Sequence, residues 1–408
     1  MSVFAWLALM VWGGMLGSSP QSFGTTYLSN EFDTRKVSVG LAGAVLSLFP
    51  LRKVCAYFTL MPLIRRFGRR NVTIFSAALS VATFIATAFS EMLRDDSQFC
   101  ALHVFFRFLQ GACSSWTMTC IQSLAMCHNP AKEKQVIQAQ GVGFGLGMSA
   151  YAALGSFLFY KFGFQGPAHA LAAANLLVVA LVAIYVPADQ QSRYEMAREK
   201  PERTFLVREI VASSSIVVVL ISVFASHVEE TYIDPTLVPY YKDEYFVKDH
   251  ILGLLLMFFG LGVLIGAILV IVMQHYFALN VPLLYGNFLL AVSVYLVAPV
   301  THKGNLYSSV AALYITGICD PMIYVPTVPV IYEELIVDYP GHEQELTDYV
   351  TVVSYTVIAA GQFMGPIIGS AMTMLMGFRG TASTLGGLIL LVAISYLFVI
   401  KRGKAHHE

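Results

Sequence analysis

Charge is what this chain has least of. Its 25 Lys and Arg and 25 Asp and Glu make up 12% of 408 residues, where soluble proteins carry about 25%. A water-soluble core cannot absorb the 57% of residues that are hydrophobic. A mean hydropathy of +0.67 agrees, so the deficit excludes a soluble globular class and points to a lipid bilayer. Net charge is zero and no basic stripe with interleaved aromatics occurs, which excludes nucleic acid as a partner. Cysteine is scarce. Cys55, Cys100, Cys113, Cys120, Cys127 and Cys319 show no zinc or CxxC spacing. Three of them recur every seven residues from Cys113 to Cys127 and read as small packing residues. No basic segment precedes the apolar start at residue 3, so the opening reads as a first membrane helix and not a signal peptide. No phosphate-cradling loop, HExxH or serine–histidine arrangement stands out, so no enzyme activity, cofactor or metal is expected.

What is present is a series of apolar runs, each about 20 residues long and able to span a bilayer. They predict helices over 3–28, 39–64, 71–91, 99–126, 136–161 and 166–187, then over 210–234, 251–274, 278–299, 306–331, 348–375 and 380–400. The fold class is therefore an all-α membrane protein with twelve transmembrane helices. The longest polar stretch, 188–208, divides residues 1–187 from 209–408 as a cytoplasmic linker between two six-helix bundles. With both termini cytoplasmic, the inner loops and tail hold 14 Lys and Arg and the outer loops 8, as the positive-inside rule requires. The acidic stretch 332–348 falls on the inner side, where acidic residues weigh little. The sequon Asn71-Val72-Thr73 falls there too, and the outer loops have none, which leans towards an organelle membrane.

The chain also repeats itself. Gly155 to Gly166 and Gly369 to Gly380 both read G-S-x6-G-F-x-G, at an offset of 214 residues, and Gly147 matches Gly361 at the same offset. Gly40 matches Gly253 at 213. Two homologous six-helix halves related by a pseudo-twofold axis follow, of the kind that enclose a midplane site in transporters.

Three motifs sit in register with this frame. Arg66-Phe67-Gly68-Arg69-Arg70 follows the second helix, Arg107-Phe108-Leu109-Gln110-Gly111 lies in the fourth, and Gly365-Pro366-Ile367-Ile368-Gly369 lies in the eleventh. They resemble the loop signature, fourth-helix arginine motif and glycine-proline signature of the major facilitator superfamily. The resemblance covers essentially the whole chain. It implies the major facilitator fold, alternating access and a gating role for Arg66, Gly68, Arg69 and Arg70. The chain departs from the family pattern at Met61, Arg65 and Tyr151-Ala152, which leaves proton antiport in question. A second likeness, to the vesicular amine and polyamine transporters, rests on Asp234-Pro235-Thr236-Leu237-Val238-Pro239, Ile251-Leu252-Gly253-Leu254-Leu255 and Val39-Gly40-Leu41-Ala42-Gly43.

Ionisable residues inside a bilayer are costly and usually face a cavity or a partner. They segregate by half: Arg52, Lys53, His103 and Arg107 in the first, and His227, Glu229, Glu230, Asp234 and Asp320 in the second. Asp320 occupies the duplicated position of Arg107, at offset 213. A basic wall is expected to face an acidic one, with at least one of Arg52 and Lys53 looking into the cavity. Permanent ion pairs locking the halves are the competing reading. His103, Arg107, Gln110 and Ser114 form a polar stripe on helix four, and Thr316, Asp320, Tyr324 and Thr327 form one on helix ten. His227, Glu230 and Asp234 share a face and suit proton coupling, with Asp234 as a solvated helix end the alternative. These residues predict a secondary transporter moving a small polar or charged organic solute through the lipid bilayer. The alternative is a transport-inactive structural subunit with protein partners in a membrane complex.

Overall fold

The computed structural model describes residues 3–128, 133–186, 213–301, 304–337, 339 and 343–407. The expected linker 188–208 lies outside the described residues, and so do certain side chains within helices, Lys53 among them. The described chain is all helical. Helix α1 runs Val3–Phe23, changes to π pitch over Gly24–Leu28 and ends with Ser29–Thr34. Then follow α2 (Val39–Phe67), α3 (Arg69–Phe89), α4 (Asp96–His128), α5 (Glu133–Phe162) and α6 (Gln165–Tyr185). The second half holds α7 (Ser214–Tyr245), α8 (Asp249–Tyr276), α9 (Asn280–Val297) and α10 (Leu306–Ile336). The last stretch, Glu343–His407, breaks at Gly377 (φ 72°, ψ 168°) into α11 (343–376) and α12 (378–407). By length and composition, eight of the described helical stretches are able to cross a bilayer, the last holding α11 and α12 together.

The helix ends follow from local chemistry. Ser38 and Ser213 cap α2 and α7 by accepting from Leu41 N and Ile216 N, and Asn305 with Ser308 forms a capping box at α10. The repeated G-F-x-G motif is a tight hairpin in both halves. Gly163 and Gly377 both take positive φ, a conformation in which glycine avoids a Cβ clash. The next residues, Phe164 and Phe378, are buried in the cores of their own halves.

Packing repeats as well. In the first half α1 packs on α5, α2 on α4, and α3 on α4 and α6. In the second half α7 packs on α11, α8 on α10, and α9 on α10 and α12. Two six-helix bundles result, related by a pseudo-twofold axis. They meet through α5 against α8 and α2 against α11. A Cβ on Gly43 would meet Ser370 and the Pro366 carbonyl, and one on Gly253 would meet Ser156 and the Ala152 carbonyl. Ser156 and Ser370, like Ala152 and Pro366, are themselves repeat equivalents at offset 214. Both contacts lie at the face of the molecule opposite the chain termini, the distal face.

The seventh helix continues eleven residues beyond its expected end at 234, and α1 reaches Thr34. Pro235 and Pro239, each of which removes a backbone N–H and tends to bend a helix, follow that expected end. Both lie inside α7. The stretch is buried on all sides, with Thr231, Tyr232, Ile233, Thr236, Leu237 and Val238 all in the core. Asp234 is therefore a buried mid-helix residue and not a solvated end.

Candidate functional site

A ladder of polar contacts joins α1 to α7 across the two bundles. Gln21 Nε2 donates to Glu230 Oε1 at 3.1 Å, Thr25 donates to Asp234, and Lys242 Nζ donates to Asp33 Oδ2 at 2.6 Å. Each pair is separated by 209 residues. A constant separation means that the two helices run parallel with fixed register, as a twofold axis along the membrane normal demands. Lys242 also reaches Asn30 Oδ1 at 3.0 Å and Asp249 at 3.3 Å, which clasps the distal face.

Arg107 is buried, and its guanidinium meets α1 where the pitch changes. Its Nη1 donates to the Pro20 carbonyl at 2.8 Å, and its Cζ lies 5.8 Å from the Phe23 ring centroid and 5.5 Å from that of Phe49. Gly24 leaves the room, since a Cβ there would collide with the guanidinium. π-helical turns often mark functional sites. Arg107 and Asp234 line one central cavity together with Gln21, Phe49, Thr231 and Gln362. A second cavity beside it is lined by Gln21, Ser22, Thr25, Glu230 and Asp234. Their open spaces are about 10 and 20 Å³, room for about one water each. Neither cavity has the space of a solute site of ordinary size, about 300 Å³ or more, so the centre is closed in this conformation.

Glu230 is held from both sides, since Gln362 Nε2 of α11 donates to its Oε2 at 3.2 Å. His227 Nε2 lies 3.9 Å from the same oxygen, and the Tyr324 ring packs edge-on against His227 at 6.0 Å. Asp320 approaches from α10, and one ligand atom each from His227, Glu230 and Asp320 lies within 4.8 Å of the others. Glu229 is buried beside Glu230 and Asp320.

Other expected site residues lie elsewhere. Among the described residues Arg52 is paired with no acid of the second bundle. Its guanidinium stacks on Phe108 at 4.8 Å and lies 5.9 Å from Trp116, because α2 packs against the aromatic face of α4. The side chain of Lys53 lies outside the described residues. His103 is bonded to Ser90 at 2.9 Å among Phe32, Phe99 and Phe164, and Gln110 donates to Thr87 at 3.1 Å. Both tie α4 to the α3 side, while Ser114 turns to the Gly17 carbonyl of α1 and Arg107 lines the cavity. Gly68 has φ 78° and ψ 154° and joins α2 to α3. Beside it, Arg66 lies 5.4 Å from the Phe67 ring and Arg70 donates to the Ala183 carbonyl at 2.8 Å. Gln21, Thr25 and Gln362 were not legible as site residues, because a neutral polar residue in an apolar helix carries little signal.

A sequence model of the Major Facilitator Superfamily matches residues 2–346. The chain belongs to this family. Its relative in Mus musculus, the MFS-type transporter SLC18B1, is 22% identical over 381 residues, which span 90% of this chain and 80% of that protein. The nucleoside transporter NupG has a TM-score of 0.72 at 12% identity, covering 98% of this chain and all of the other. A D-xylose-proton symporter has a TM-score of 0.74 at 14% identity, covering 98% and 97%. As a major facilitator protein the chain is a multi-pass membrane protein of the secondary transport class, and not an enzyme.

Proposed function

We propose that this major facilitator carries a small amine-bearing solute, a cation or a zwitterion, by proton-coupled alternating access. The observation that carries the reading is that Arg107 and Asp234 line one buried cavity at the junction of the bundles. With Glu230 in the adjoining cavity, the described lining residues hold one cation and two carboxylates. An ammonium group fits beside Asp234 and Glu230, and Arg107 takes a carboxylate where the solute has one. Residues 1–187 and 209–408 move as two bodies joined by 188–208. Opening the distal face breaks the Gln21–Glu230, Thr25–Asp234 and Lys242–Asp33 contacts. Protonation of Asp234 weakens its hold on Thr25 and its attraction to Arg107, and so ties proton movement to opening. The arginines around Gly68 brace the other face, and the absence of a sequon on the expected outer loops supports an organelle membrane.

The test is uptake into liposomes with an imposed pH gradient, screened with labelled polyamines, monoamines and amino acids. Gradient-dependent accumulation of an amine, lost in Asp234→Asn, supports the reading. Uptake of only neutral sugars or nucleosides, or none of any class, overturns it.

A further inference from the structure

Glu229, Glu230 and Asp320 are buried between α7 and α10, each at most 4% exposed, and they interact electrostatically. Among the described residues no Lys or Arg is paired with any of the three. Like charges at that depth are strongly unfavourable unless protons or a bound cation neutralise them. Oδ1 of Asp320 has no hydrogen-bond partner. His227 adds a nitrogen of defined state. Its Nδ1 lies 2.9 Å from the Val223 carbonyl, and since a carbonyl only accepts, Nδ1 carries the hydrogen. In the neutral ring Nε2 then keeps its lone pair, and it faces Glu230 at 3.9 Å. A carbonyl on the far nitrogen is how metal-binding imidazoles are oriented.

We propose that His227, Glu230 and Asp320 form a site for a divalent first-row transition-metal ion of the Zn²⁺ or Mn²⁺ type. The two carboxylates balance the charge of a divalent ion. The imidazole nitrogen selects against alkali and alkaline-earth ions, which prefer oxygen. Ligand atoms about 2.1 Å from one tetrahedral ion stand about 3.4 Å apart. The His227–Glu230 pair at 3.9 Å needs only a small inward rotation, and Asp320 a larger one. The ion would draw Glu230 towards α10 and away from Gln21 of α1. Metal occupancy is thereby linked to the interface between the bundles. This site goes beyond the transport reading, sharing only Glu230 with the proposed solute centre, and does not depend on which solute is carried.

The full chain, purified in mild detergent without a polyhistidine tag, is titrated with Co²⁺ and followed by absorption. The expected result is saturation at one equivalent, with d–d bands of nitrogen and oxygen ligands and displacement by Zn²⁺. Asp320→Asn and His227→Gln each weaken binding by about tenfold or more, while His169→Gln, at an exposed histidine of α6, leaves it within about twofold. Independently, Zn²⁺ raises the unfolding temperature of the unaltered chain and Mg²⁺ does not. No saturable Co²⁺ signal together with no Zn²⁺ shift overturns the proposal. A thiolate charge-transfer band, or binding unchanged in both ligand variants, does so too. Neither measurement uses a gradient or a solute, so a failed metal titration leaves the uptake result standing, and the reverse holds.

Discussion

Arg107 illustrates how much one buried side chain asks of its surroundings. A guanidinium at 2% exposure needs acceptors and aromatic faces, and it finds the Pro20 carbonyl, Phe23 and Phe49. Lysine cannot reproduce the planar fork. Arg107→Lys is expected to lower the uptake rate by about tenfold or more, roughly 1.4 kcal/mol in the barrier, with the folded yield retained. A rate within twofold of the parent would remove Arg107 from the solute path. Arg52 gives the contrasting case. Stacked on Phe108 and close to Trp116, it contributes through packing, and Arg52→Lys should leave KM for the solute unchanged. At Gly377, φ 72° and ψ 168° place the backbone in a region that only glycine enters freely. Gly377→Ala should destabilise the protein by about 1–3 kcal/mol, read as a lower unfolding temperature in detergent.

At the scale of helices, the two bundle contacts depend on small residues. Gly253 of α8 lies against Ser156 and the Ala152 carbonyl, and Gly43 of α2 lies against Ser370 and the Pro366 carbonyl. A side chain at either place holds the distal face apart. Gly253→Val is expected to keep fold and insertion but trap the opened form. A cysteine introduced at Thr25 should then react with a membrane-impermeant reagent from the distal side, where the parent background reacts slowly. Equal reactivity in both would show that this contact does not close the face. α7 shows why element boundaries resist sequence reading. The expected end at 234 falls just before Pro235, where a backbone bond is lost, yet the helix runs through Pro235 and Pro239 because this stretch is buried between neighbouring helices.

For the whole molecule, the constant separation of 209 between bonded residues on α1 and α7 describes one closed state, ordered from the centre to the distal face. The Lys242–Asp33 clasp is its outermost rung. Lys242→Ala is expected to raise distal accessibility and to change the uptake rate and KM together, as gating changes do. The charge-swapped pair Lys242→Asp with Asp33→Lys should restore both in part, although Asp249 also faces Lys242. Failure of the swap together with a silent single variant would make the clasp a passive surface pair.

Twelve spans and two homologous halves could be read directly from the chain, because bilayer thickness fixes helix length and duplication leaves a countable offset. The G-F-x-G turns and the buried charge at Arg107 were legible for the same reason, since a bilayer makes every glycine turn and every charge conspicuous. Partnership was not legible. Whether Arg52 meets an acid or an aromatic ring, whether His103 faces the cavity or α3, and which neutral Gln or Thr completes the centre depend on rotation and register between helices far apart in sequence. Gln21 meets Glu230 only because α1 and α7 lie side by side in parallel register. Sequence alone determined the solvent, the span count and the symmetry, each set by local hydrophobicity or by repetition. Tertiary structure decided which charges meet, because that depends on how two bundles face each other.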